Sequence, residues 1–96
     1  MANMCENILF ISTEDESNIQ EIINFLKKYD FNYEVNDEWT IDAWFETRWT
    51  FNEDLMNELF NSIPNKEDIY MRCLSVEYGC LYHALWICDE HGWGEV

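Results

Sequence analysis

Two pairs of residues in the last third of the chain have the spacing of metal ligands: Cys80-Leu81-Tyr82-His83 and Cys88-Asp89-Glu90-His91. Two thiolates and two imidazoles can complete a tetrahedral zinc shell. The surroundings oppose it. Residues 80 to 88 read as a strand, and Cys80 and His83 then project to opposite faces because their separation is odd. The same segment offers a nucleophile, with Cys80, His83 and Glu77 as thiol, base and orienting acid. No glycine-rich oxyanion loop or nucleophile elbow accompanies them. Acidic residues number 20, so neighbouring carboxylates suited to acid–base work arise without selection for it. The expectation is no catalytic residue, no metal and no cofactor. Cys5, Cys73, Cys80 and Cys88 are then buried, reduced thiols.

Charge is the stronger signal. Asp and Glu total 20 against 5 Lys and Arg, a formal net charge of -15. Nucleic-acid binding needs cations to displace the counterions of the phosphate backbone, so direct binding is excluded. Anionic membranes are disfavoured for the same reason. The magnitude exceeds the roughly 2–8 charges that keep a small domain soluble. Carboxylates held rigidly across a folded surface can imitate the charge array of a duplex and steer a basic partner into contact. No apolar stretch is long enough for a secretory h-region or a membrane span, so a cytoplasmic location is expected.

These side chains need elements to position them, and 96 residues suit one domain spanning 1–96. Ile8 to Ile11 reads as a buried strand. Thr13 with Glu16 forms a capping box, followed by an apolar stripe at Ile19, Ile22, Ile23 and Leu26. Phe31, Tyr33 and Val35 alternate with polar residues as a second strand, and Asn36-Asp37-Glu38 forms a turn. From Trp39 to Trp49 the alternation is sustained. Trp39, Ile41, Ala43, Phe45, Thr47 and Trp49 share one face, and Thr40, Asp42, Trp44, Glu46 and Arg48 the other. Thr50 to Glu53 is a second capping box. It leads into a stripe at Leu55, Met56, Leu59, Phe60 and Ile63 that Pro64 stops. Ile69 to Tyr78 and Cys80 to Cys88 pair as strands around Gly79, and the tail from Asp89 to Val96 is polar. The fold class is α+β in the order βαββαββ. An antiparallel sheet of four to five strands carries two helices on one face, a ferredoxin-like arrangement. Trp39, Trp49 and Trp86 are expected in the core, with Trp44 at the surface.

The segments Cys5-Glu6-Asn7-Ile8-Leu9-Phe10-Ile11, Trp44-Phe45-Glu46-Thr47-Arg48-Trp49 and Val76-Glu77-Tyr78-Gly79-Cys80-Leu81-Tyr82, with Trp86 and Gly92, resemble the YubB-like ferredoxin-fold family of plasmid- and phage-borne proteins. Glu46 stands where the family has glycine, and His83 where it has a small residue. The resemblance implies a ferredoxin-like fold and a mobile-element origin, and it supplies no catalytic residue.

Charge and resemblance together point to an inhibitor of a host defence protein, of the anti-CRISPR or anti-restriction type. It would block a basic nucleic-acid-binding protein through Asp37, Glu38, Asp42, Glu46, Glu53 and Asp54, with Trp44 as apolar anchor. The alternative is a protein-interaction module, or a homodimer, joined through the open sheet face. An aromatic platform for RNA is excluded because Arg48 and Arg72 are the only cations in the expected strands.

Overall fold

In the computed structural model, residues 4–37, 39–48, 51–77, 79 and 82–96 are described, with the Arg48 side chain left outside that set. The readings above that fall on Glu38, Trp49, Thr50, Tyr78 and Cys80 lie outside the described residues. The elements in chain order are β1 (Met4–Ser12), α1 (Glu16–Lys28), β2 (Asn32–Val35), β3 (Thr40–Arg48), α2 (Glu53–Ser62), β4 (Tyr70–Glu77), β5 (Tyr82–Asp89) and β6 (Gly92–Glu95). The strands form one antiparallel sheet in the order β2-β3-β1-β4-β5-β6. β3 lies between β2 and β1, and β1 between β3 and β4, so the first four strands and two helices are two interleaved β-α-β units.

The chain alternates across this sheet. Cys5, Asn7, Leu9 and Ile11 of β1 are buried, as are Ile41 and Ala43 of β3 and Met71 and Cys73 of β4. Ile22, Phe25 and Leu26 of α1 and Met56 and Leu59 of α2 join the same core cluster, so both helices cover one face. Each helix is seeded by a side chain that accepts orphan N–H groups. Asp15 caps α1 through the N–H groups of Ser17 and Asn18 (2.8 and 3.2 Å), and Asn52 caps α2 through that of Leu55 (3.1 Å). Lys27 and Lys28 sit in the last turn of α1, where they favour the dipole.

Several expectations change. Thr13 does not cap α1. Its hydroxyl donates 2.5 Å to the Asp68 carbonyl and accepts from the Asn18 amide at 3.1 Å. The cap therefore falls two residues later, on Asp15. β1 is not buried on both faces: Ile8 is 48 % exposed. Trp39 is 36 % exposed, because it lies before the first paired residue of β3 rather than under a helix. The sheet has six strands, not four to five. The polar tail turns at Gly92, whose φ of 99° is costly for other residues, and pairs with β5 as β6. Trp93 holds it there: its indole N–H donates 2.8 Å to the Met56 carbonyl, and Phe51 packs edge-on at 5.4 Å.

A buried amide ties the two loops at one end of the sheet. The Asn18 side chain donates to the carbonyls of Asn65 and Asp68 at 2.8 and 2.9 Å, and its oxygen accepts the Asn65 N–H at 2.8 Å. Removing it strands buried groups, each costing about 1–3 kcal/mol. Asn18→Ala is therefore expected to lower stability by about 2–4 kcal/mol, read as a lower urea midpoint with unchanged slope.

The Asp15 carboxyl is held down from 3.8 to about 2 by hydrogen bonds from the Ser17 hydroxyl, the Asn65 amide and the Asn18 N–H. A depressed native value stabilises above the unfolded one and is lost as pH falls through the native one. The stability gap between wild type and Asp15→Ala should be full above about pH 4 and shrink toward pH 2; a pH-independent gap contradicts this reading.

Candidate functional site

Among the described residues, nothing covers the face of the sheet away from the helices. Cross-strand register lays out its side chains in rows. The middle row runs Asn32, Trp44, Ile8, Leu74 and Leu85 across β2, β3, β1, β4 and β5. Trp44, Ile8 and Leu74 are 41, 48 and 40 % exposed. Three large apolar side chains standing side by side in water are unusual for a surface without a partner. Phe10, Val76 and Ile87 extend the apolar area from the adjoining rows, and Tyr70 from the row beyond Phe10.

Carboxylates flank Trp44 on both sides. In one adjoining row Glu6 is directly opposite Glu46, and in the other Glu34 is directly opposite Asp42. Like charges facing each other across strands destabilise a sheet. The Asn36 amide donates to Asp42 at 2.7 Å, which satisfies an oxygen without neutralising it. Arg72 reaches no carboxylate within 4 Å; its guanidinium lies 4.4 Å over the Phe10 ring. Among the described side chains the one acid–base contact is His91 with Glu90 at 3.7 Å. Lys66 is spent on the Ile63 carbonyl at the end of α2, at 2.8 Å.

Beside Trp44 the face deepens into a cleft of about 550 Å³. Its walls include Ile8, Trp44, Glu46 and Asn32 from the sheet and Asp30 from the loop after α1, and it reaches past the edge of β3 to Phe45, which packs against the core. β2 begins opposite Trp44, so β3 runs on past it toward Arg48 beside the cleft. Asp30 holds the loop in a left-handed turn, φ 57°.

The residues expected to bind a partner divide into three groups. Asp42, Trp44 and Glu46 come together on the open face. Asp37 belongs to the β2–β3 turn: it accepts the N–H groups of Trp39 and Thr40 at 2.7 and 2.9 Å, and the Trp39 bond above all lowers its pKa. Glu53 and Asp54 occupy the first turn of α2, within the helix layer. Glu38 lies outside the described residues. Glu6, Ile8, Glu34 and Leu74 join the face without having been expected there. Their signal was alternation in β1, β2 and β4, continued through Glu6, Glu34 and Leu74.

His83 pairs opposite Val76 on the open face, while Glu77 is buried on the other, so the sheet separates the imidazole from the carboxylate that a Cys80, His83, Glu77 triad would need together. Cys5, Cys73 and Cys88 are free and buried. Burial pushes the Cys73 and Cys88 thiols up to about 12 and raises Cys5 as well. Cys73 and Cys5 border a polar core around Asn7. Its amide donates to Thr47 at 2.9 Å and to the Phe45 carbonyl at 3.2 Å, and its oxygen accepts from Ser75 at 2.5 Å. Among the described residues no three His, Cys, Asp or Glu side chains are arranged to hold a metal ion. No helix among them is long and apolar enough to cross a membrane.

Compared with known protein families, curated proteins and solved structures, the chain matches none.

The thiols give a direct check. At pH 8 Cys5, Cys73 and Cys88 are expected to resist iodoacetamide in the folded chain and to react once urea is added. Rapid alkylation of any of the three in the native state contradicts their burial.

Proposed function

We propose that this chain is a non-enzymatic inhibitor that binds a basic nucleic-acid-binding protein of a host cell and occludes its nucleic-acid groove. The anti-CRISPR or anti-restriction type is the specific form. The resemblance to the YubB-like family adds a mobile-element origin, and the short apolar stretches of the sequence suit a cytoplasmic site of action. The strand order β2-β3-β1-β4 around two crossover helices supports a ferredoxin-like frame, extended by β5 and β6.

One observation carries the reading: two directly opposed carboxylate pairs, Glu6 with Glu46 and Glu34 with Asp42, bracket an exposed tryptophan. Each pair destabilises the free sheet by some tenths of a kcal/mol, up to about 1. A cationic partner turns that repulsion into attraction. The two pairs lie four residues apart along β3, about 13 Å, with Trp44 midway as an anchor of the kind that dominates interface energetics. Lysine and arginine side chains from a nucleic-acid groove can reach both pairs while an apolar residue meets Trp44. Association would be fast, electrostatically steered and sensitive to salt.

The test is capture on immobilised chain from a bacterial lysate at low salt. The expected result is recovery of a basic nucleic-acid-binding protein that salt elutes and that a Asp42→Lys, Glu46→Lys variant fails to retain. Recovery of no such protein at low salt contradicts the proposal, as does equal retention by the variant.

A further inference from the structure

The open face has a property that a basic partner does not require: its pattern complements itself. We infer that two copies of this chain associate through their open faces, about a two-fold axis roughly parallel to the strands between β1 and β4. The six strands fall three on each side of that axis, so the operation lays β1 on β4, β3 on β5 and β2 on β6 of the second copy. Rows stay on rows. In the middle row Ile8 meets the second copy's Leu74, and Trp44 meets its Leu85. The apolar row of one sheet thus covers the apolar row of the other along its length.

Charge selects this axis. Among the described side chains of this face, the acids Glu6, Glu34, Asp42 and Glu46 lie on β1, β2 and β3, whereas Arg72 and His83 lie on β4 and β5. An in-plane axis across the strands stacks acids on acids, which costs stability. The axis along the strands sets Glu46 over the second copy's His83. It also sets Phe10 over the second copy's Arg72, one strand from Asp42. Gly94 lies on β6 where Glu34 arrives, and nothing stands within 4 Å of the space a side chain would fill there.

Size is adequate. Six strands at about 4.8 Å spacing and rows spanning about 20 Å give roughly 500–600 Å² per copy, about 1,000–1,200 Å² in all. That clears the lower bound of a specific interface, about 1,000 Å², and belongs to a weak, reversible dimer. The dimer and the basic partner proposed above use the same face and compete, so self-association would hold Trp44 covered until a partner displaces the second copy. The two bindings respond oppositely to salt. Each copy carries -15, so screening strengthens the dimer and weakens the basic complex.

Light scattering or sedimentation equilibrium over a concentration series at low and high salt tests this. The wild type is expected to pass from monomer to dimer, at lower concentration in high salt. Trp44→Lys and Leu85→Glu alone should each weaken the dimer by ~30-fold or more, with circular dichroism unchanged. The two residues lie on different strands, β3 and β5, so the double variant places Lys against Glu only between copies and should restore it. Wild type that stays monomeric at every concentration overturns the inference and leaves the face to a basic partner. A dimer that survives both single variants, or a double variant that stays monomeric, overturns this geometry.

Discussion

Strand β1 is hydrogen-bonded along both edges, to β3 and to β4, and its alternation decides where every neighbouring side chain points. Cys5, Asn7, Leu9 and Ile11 face the helices, so Glu6, Ile8 and Phe10 must face away. A slip of one residue would reverse both sets. Two helices of 13 and 10 residues supply one covering layer, and the chain carries no further element for the other side among the described residues. The open face is the direct consequence of that register. Asn18 at one end and Asn7 at the other hold it, each a buried amide with its hydrogen bonds made within the fold.

The same register explains the electrostatics. Opposed acids at Glu6 and Glu46 and at Glu34 and Asp42 cannot separate without moving the strands. Two of the described cations serve other ends, Arg72 on Phe10 and Lys66 on a helix terminus. Among the described side chains, no cation reaches these carboxylates beside Trp44. Either a basic protein or the opposite half of a second copy can relieve their repulsion, and both proposals draw on that deficit.

Alternation in β3 is strong in the sequence, so Asp42, Trp44 and Glu46 could be placed on one face from residue types alone. β1 hides its register because it buries a polar residue, Asn7, and exposes an apolar one, Ile8. The amide is acceptable inside only because Thr47, Ser75 and the Phe45 carbonyl meet it. Those partners come from other strands, and no local pattern announces them. Thr13 fails as a cap for a related reason: its hydroxyl is drawn to a carbonyl 55 residues away. β6 was illegible because Gly92-Trp93-Gly94-Glu95 lacks an apolar run, and the indole bond to Met56 that secures it is long-range. Asp37 shows the reverse case. An acid read as partner-facing is committed to its own turn.

The most direct measurement is hydroxyl-radical footprinting of the chain with and without its captured basic partner, at a concentration where the free chain is monomeric. Protection is expected at Trp44, Ile8 and Leu74, with Leu55 and Phe60 on α2 labelled equally in both states. Protection of α2 with Trp44 unchanged would place binding on the helix layer and contradict an open-face interface.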